Sequence, residues 1–234
     1  MSASAANAGR PVGPPVDTSP ARRPERVTLS GRFARLEKLD AGRDGAALWE
    51  GFKGRDDLWT YSSQGPFDDA DLFQKWLEKR AALADPYYFT IFDAGGRALG
   101  VTTLMEIRPA MRVVEVGHIV YAPALQRTPV ATEAQYLLAR HVFETLGYRR
   151  YEWKCDSLNA ASRRAAERFG FTPEGIFRQH MILKGRSRDT AWYSMLDREW
   201  PRACTAFEQW LAPENFDGEG KQRRTLEEIR NSIT

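Results

Sequence analysis

A strand that passes through a short turn into a helix is the feature that most constrains how this chain folds. Val113 to Tyr121 is a mostly apolar run typical of a strand, and Pro129 to Thr145 carries apolar residues at the spacing of one helix face. The first amides of such a helix have no intrahelical acceptor, and the helix dipole places positive charge there. The junction therefore predicts a site for a phosphorylated ligand.

The residues on both sides of this junction are candidates for the phosphate contacts. Arg127 would add positive charge, and Thr128 would be the N-cap of the helix. Pro129 has no N–H to donate but suits a first helical turn, so the amides that follow it become the expected donors. The alternative is that Thr128 and Pro129 only start a helix. The predicted contacts are Gln126, Arg127, Thr128, Val130, Ala131 and Thr132.

Composition limits the classes of protein to consider. A chain of 234 residues that is 42% hydrophobic can bury one sizeable core, and a net charge of +3 is too small to indicate nucleic-acid binding. The two cysteines and three histidines lack metal-ligand or redox spacing, which predicts no metal site and a reduced, intracellular setting. The sequence has no apolar run long enough for a membrane span and no apolar signal core, so we expect a cytoplasmic protein.

The pattern of elements predicts one α/β domain with two appendages. We expect a disordered or loosely packed tail over residues 1–26, the domain over 27–200 and a helical extension over 201–234. Helices are predicted at 46–52, 69–82, 129–145, 159–169 and within 203–234. Strands are predicted at 27–37 (interrupted at Gly31), 87–92, 99–107, 113–121, 151–154, 171–183 and 191–196.

Strands and helices alternate, but a hairpin lies in the middle of the chain. This arrangement predicts a mixed sheet with helices packed on its faces. The sequence has neither the glycine-rich fingerprint of a dinucleotide fold nor the glycine-lysine loop of a nucleoside-triphosphate site. Both of those classes are therefore excluded.

Three segments, in order and on the expected elements, resemble the GNAT family of acyl-CoA-dependent N-acetyltransferases, and most of all its Rim-type branch, which acts on ribosomal proteins. They are residues 114–118, 126–134 and 159–171, and the resemblance covers about 27–200. It implies a twisted, mostly antiparallel sheet of about seven strands with helices on both faces. It also implies acetyl-CoA as cosubstrate without a metal, a bulge in the first segment, a diphosphate cradle in the second and the pantetheine arm along the third. Pro129 departs from the glycine that the family usually has there.

The resemblance also implies roles for individual residues. An amide after the bulge, Ile119 or Val120, would stabilise negative charge on the thioester oxygen. Ser162 would interact with the departing thiolate, since a hydroxyl on an otherwise apolar helix face needs a partner; the alternative is a bond to its own helix. Asn159 would cap that helix, contact pantetheine, or both. Arg163, with its neighbours Arg164 and Arg168, would meet the 3′-phosphate of coenzyme A or form a solvated face.

The base that must take a proton from the acceptor amine has three candidates. Glu115 matches an acid of the family, His118 has a suitable pKa range, and a chain of water molecules could replace both. A lone histidine on a strand is more often structural. Some Rim-type relatives have a glutamate where this chain has Met181.

The acceptor site is expected across the sheet from coenzyme A. Trp59, Tyr61 and Phe67 would line it, although each aromatic could equally be a core residue. The acceptor would be a protein N-terminus or a small-molecule primary amine, acetylated directly within a ternary complex. The alternative is a noncatalytic acyl-CoA-binding protein. A homodimer is a further prediction, because the apolar residues of the C-terminal extension could pack on the domain or on a second subunit.

Overall fold

One eight-stranded sheet forms the centre of the computed structural model, which describes residues 10–233. The strands are β1 (Leu29–Ser30), β2 (Ala34–Lys38), β3 (Tyr87–Asp93), β4 (Ala98–Arg108), β5 (Val113–Tyr121), β6 (Arg150–Asp156), β7 (Thr172–Leu183) and β8 (Arg186–Leu196). Their order across the sheet is β1-β2-β3-β4-β5-β6-β8-β7, and only the neighbours β5 and β6 are parallel. The predicted mixed, mostly antiparallel sheet is confirmed.

The sheet has eight strands rather than about seven because the segment predicted as one interrupted strand forms two. β1 and β2 pair with each other, with Leu29 opposite Leu36, and the chain reverses between them. Gly31 lies in that turn, where an added Cβ would come within 2.3 Å of the Glu133 side chain. The glycine therefore marks a reversal with a close approach, not a break within one strand.

Helices cover both faces of the sheet, and most begin at a side-chain cap. They are α1 (Ala41–Phe52), α2 (Ala70–Ala81), α3 (Pro129–Arg140) followed by a π-helical turn (His141–Thr145), α4 (Ala160–Phe169), α5 (Trp200–Leu211) and α6 (Leu226–Ser232). One buried cluster lies under α3, α4 and α5, and a second lies under α1 and α2. No helix within residues 10–233 is long and apolar enough to cross a bilayer.

Helix α1 begins five residues before its predicted start. Asp40 caps it, since the carboxylate accepts hydrogen bonds from the amides of Gly42 and Arg43. The glycines that argue against a helix serve packing instead. A Cβ at Gly45 would lie 2.1 Å from Oε1 of Gln74, so α2 contacts the backbone of α1 directly.

Both appendages contact the domain. In the C-terminal extension, Phe207, Trp210 and Leu211 are buried in the main core, so they pack on their own domain and give no support to the predicted homodimer. Part of the predicted N-terminal tail, residues 1–9, lies outside the described residues, as does residue 234. Further along the tail, the amide of Ala21 donates to the Pro109 carbonyl at 3.1 Å, which attaches this stretch to the domain.

Candidate functional site

An opening in the middle of the sheet is the central feature of the site. β5 and β6 pair from Val113, opposite Arg150, to Val116, opposite Trp153. Beyond that point the two strands do not pair with each other in the described chain. The rest of β5 remains bonded to β4, and the rest of β6 to β8. Two strand edges therefore face each other across a gap. Unpaired backbone groups inside a sheet need partners, and an extended ligand with its own amides would supply them.

A bulge in β5 borders this opening, as predicted. Val120 pairs with Val101 and Gly117 with Thr103, so His118 and Ile119 together oppose the single residue Thr102. His118 adopts a φ of 45°. Such a bulge redirects the following backbone groups, so the amides of Ile119 and Val120 remain the predicted donors to an acyl oxygen.

The N-terminus of α3 offers three free amides to a phosphate. Thr128 is the N-cap, and its Oγ1 accepts from the amide of Ala131 at 3.2 Å and donates to the Leu125 carbonyl at 2.6 Å. The amides of Arg127, Thr128 and Val130 have no protein acceptor among residues 10–233. Arg127 has a φ of 60° and an exposed side chain. Consecutive free amides beside a cation form an anion site.

Three of the predicted phosphate contacts are engaged elsewhere. The amide of Ala131 is held by the cap, and that of Thr132 donates to the Thr128 carbonyl. The hydroxyl of Thr132 accepts from Arg168 at 3.1 Å, and the residue is only 3% exposed. The Gln126 amide group donates back to the Tyr121 carbonyl at 3.1 Å. The expected amide donors are therefore those of Arg127 and Thr128, just before the helix, and of Val130 in its first turn.

Ser162 lies where β5 and β6 separate. Its hydroxyl accepts a hydrogen bond from Nε1 of Trp153 at 3.0 Å, and Trp153 is the last β6 residue that pairs with β5. Because the indole can only donate, it occupies an acceptor position of Oγ, and the serine proton is left for a sulfur acceptor, either the nearby Cys155 thiol or a ligand. Trp153 was not singled out from the sequence. Strand alternation, which places it with Cys155 on the face that α4 covers, was the signal available.

Two other residues predicted to bind coenzyme A hold α4 in place. Oδ1 of Asn159 caps the helix by accepting from the amide of Ser162 at 3.0 Å, which is one of its two expected roles. The Arg163 guanidinium donates to the hydroxyl of Tyr193 at 3.1 Å and also contacts the Ser157 carbonyl. Both side chains therefore orient the helix turn that carries Ser162.

Glu115 is buried in an ion pair and is not a free carboxylate. Its Oε2 lies 2.8 Å from Nζ of Lys154, which also lies 3.2 Å from Glu152 and 4.0 Å from the ring centroid of Trp192. Burial raises the pKa of Glu115, while Lys154 opposes the rise. The parallel register sets Glu115 beside Glu152, and Lys154 contacts both carboxylates, while Arg108 and Arg150 also pair with Glu152.

His118 is a neutral ring at neutral pH. It stacks on Tyr88, with ring centroids 5.8 Å apart. Burial, and then the nearby charges of Arg80 and Arg188, lower the pKa of His118 to about 4. A group with so low a pKa is a weak general base, although its neutral nitrogen can still accept a hydrogen bond from water or an amine.

The three aromatic residues predicted to line the acceptor site have different surroundings. Trp59 is 2% exposed and packs at right angles on Phe67 and Trp76, so it is a core residue of the α1–α2 side. Phe67 belongs to the same aromatic cluster and is half-buried. Tyr61 is exposed, and its hydroxyl donates to the Leu158 carbonyl at 3.2 Å. Of the three, only Tyr61 connects its own loop, which precedes α2, to the loop after β6.

Comparison with known proteins agrees with this geometry. Residues 35–172 match the family model of the acetyltransferase (GNAT) domain. The crystal structure of a GCN5-related N-acetyltransferase from Brucella melitensis is 48% identical, with a TM-score of 0.89 over 91% of this chain and 98% of that one. The Bacillus subtilis protein named "Putative ribosomal N-acetyltransferase YdaF" is 27% identical over 147 residues, which are 61% of this chain and 78% of that protein.

A more distant similarity concerns the fold alone. The structure described as that of a "putative ribosomal-protein-serine acetyltransferase from Vibrio cholerae" is 18% identical, with a TM-score of 0.62 over 73% of this chain and 97% of the other.

Proposed function

Because the chain belongs to the GNAT family of N-acetyltransferases, we propose that it transfers an acetyl group from acetyl-CoA directly to a primary amine within a ternary complex. One observation supports this most: the opening between β5 and β6 has free helix amides near one end and the Ser162 hydroxyl where the strands separate. We infer that the acceptor is a protein N-terminus or a small molecule; the name of one similar protein refers to ribosomal N-acetylation, and that of one similar structure to a ribosomal-protein serine.

The residues around the opening fit coenzyme A. The amides of Arg127, Thr128 and Val130, with the Arg127 guanidinium, would hold the diphosphate. The facing edges of β5 and β6 would bond the amides of the pantetheine arm. Acetyl-CoA, when bound, supplies an acyl group on a thiol leaving group.

The chain's own groups would then orient and polarise the reactants. An amide of Ile119 or Val120 would donate to the acyl oxygen, and the Ser162 hydroxyl would donate to the sulfur. The acceptor amine would approach from the α1–α2 face and lose its proton to water or to the neutral ring of His118. Glu115 is already paired with Lys154, and this ion pair would hold the side chains at the base of the acceptor site in place.

The proposal is tested by incubating the purified protein with acetyl-CoA and a panel of peptides, amino acids and polyamines. We expect release of free thiol together with one acetylated amine, identified by mass, in equal amounts. Binding of coenzyme A without turnover on any amine would instead support a noncatalytic acyl-CoA-binding protein. If coenzyme A produced neither heat nor a thermal shift, the proposed function would be wrong.

Arg127→Ala should weaken coenzyme A binding in a salt-sensitive way. Because the side chain is exposed, we expect a loss of about 1 kcal/mol, roughly a fivefold rise in Kd, at low ionic strength and less at high salt. Titration calorimetry at two salt concentrations measures it. Arg198→Ala is the control, since this exposed residue lies beside Asp197, whose amide bonds Arg149 at the opposite end of β6. Equal affinities for both variants would exclude Arg127 from the phosphate site.

A further inference from the structure

We propose that the acceptor amine carries a carboxylate, and that Arg80 and Arg188 bind it. This inference rests on the proposed function and names the substrate class for that same site. The two arginines come from α2 and β8, and neither was singled out from the sequence. They lie close to the face of the sheet that the acceptor must use.

A loop over residues 59–64 brings the surrounding elements together. Nζ of Lys184, at the tip of the β7–β8 hairpin, donates to the carbonyls of Trp59 and Gln64, each at 3.0 Å. The Arg80 guanidinium donates to Oε1 of Gln64 at 2.8 Å. The end of α2 and the tip of the hairpin are thus attached to the same short loop, which covers the acceptor side of the sheet.

Arg188 lies on the face of β8 that this loop covers. Its Nε donates to Oγ1 of Thr190 at 3.2 Å, and alternation along β8 places Trp192 on the same face. Trp192 contacts Lys154, which pairs with Glu115 of β5. Glu115 points away from the core under α3, because its neighbours Val114 and Val116 fill that core. Arg188 therefore faces the acceptor side.

The charge of these two guanidinium groups is not compensated in the described part of the chain. Neither forms an ion pair, and Nε of Arg80 is buried without an acceptor. A buried donor without a partner is uncommon and costs stability, so Nε of Arg80 needs a water molecule or a ligand as its acceptor. Two of the carboxylates on this side are already paired, Glu115 with Lys154, and Glu152 with Arg108 and Arg150.

Excess positive charge beside the reaction centre has two consequences for the acceptor. It attracts a carboxylate, for which a guanidinium is a well-matched partner. It also disfavours an ammonium group, so a bound amine loses its proton more readily and becomes the neutral nucleophile that the reaction needs. The pKa of His118, lowered by burial and then by these same two arginines, agrees with a positive potential at this point. Polyamines, which carry only positive charge, should be poor acceptors.

The carboxylate could belong to a free amino acid or to an acidic residue near the N-terminus of a peptide. Both sources present the same chemistry, so the test compares matched pairs of each kind. One pair is glycine and glycinamide, and the other is a short peptide with aspartate or asparagine at its second position. We expect kcat/KM to be at least about tenfold higher for the carboxylate member of one pair, the size of effect that one charge-assisted contact produces.

Substitution of the arginines gives the second half of the test. Arg188→Gln and, separately, Arg80→Gln should reduce the preference for the carboxylate member, the ratio of its kcat/KM to that of its uncharged partner, to below about threefold. The affinity for coenzyme A and the thermal midpoint of each variant show whether it still folds. Arg198→Gln should retain the wild-type ratio. Equal turnover of both members by the wild-type protein, or a preference for polyamines, would refute the inference and leave the proposed function intact. Failure to acetylate any amine would refute both.

Discussion

Ser162→Ala lowers kcat for acetyl transfer by about a hundredfold, the lower end of what a positioned proton donor contributes, while the Kd for acetyl-CoA changes little. The expectation follows from one hydrogen bond. Trp153 donates to Oγ of Ser162 at 3.0 Å, so the serine proton is directed away from the indole and can reach a sulfur atom in the opening. An interaction that strengthens only as charge develops on the thiolate affects kcat more than binding.

Trp153→Phe tests the same arrangement from the other side. The ring still fills its place against Phe169 and Phe171, but the N–H that orients the hydroxyl is lost. We expect a fall in kcat of roughly tenfold, and the double variant should be no slower than Ser162→Ala alone, since both changes remove one unit. Thiol release under saturating substrates gives kcat, and calorimetry gives Kd.

Ser157→Ala is the matched control for these variants. Ser157 lies on the loop that leads into α4, and its hydroxyl makes no hydrogen bond within residues 10–233. It should leave kcat unchanged. A Ser162→Ala enzyme with the wild-type rate would remove the hydroxyl from the mechanism. If the effects of Ser162→Ala and Trp153→Phe on kcat were fully additive, Trp153 would act independently of the hydroxyl, through packing.

The sequence predicts the strands and helices well where one local pattern decides the structure. The turn at Asp93–Arg97, the strands on both sides of it and the start of α3 at Pro129 agree with the structure. The opening between β5 and β6 could not be predicted from local patterns. It depends on where β5 and β6, two strands separated by α3 in the sequence, stop pairing, and no local pattern encodes that position.

The candidate site shows the same division. Ser162 stands out in the sequence because a hydroxyl interrupts an apolar helix face, but its partner Trp153 belongs to another element. The ion pair of Glu115 follows from the register of β5 against β6, which brings two carboxylates together next to Lys154. Side chains that meet only through tertiary structure leave no periodic signal in one sequence.

Glu133 is the residue whose role is least apparent from the sequence. It lies in the first turns of α3, and its position in the sequence indicates no partner for its carboxylate. In the structure it is 4% exposed, and its carboxylate accepts from the amides of Arg32, Phe33 and Ala34 at 2.9, 2.5 and 2.6 Å. The turn between β1 and β2 is therefore bound to the helix that carries the phosphate site.

Glu133→Ala should destabilise the protein by about 3 kcal/mol, because three partly buried amides lose a charged acceptor that nothing nearby replaces. For a chain of this size the thermal midpoint should fall by roughly 6–12 °C. The stability of Glu133→Gln should lie between those of the wild-type protein and Glu133→Ala, since one oxygen remains while the new NH2 group opposes the amides. Glu50→Ala is the control: its ion pair with Lys53 is exposed, so we expect a change of less than about 1 kcal/mol. Equal denaturant midpoints for Glu133→Ala and Glu50→Ala would show that the contact between this turn and α3 contributes no stability.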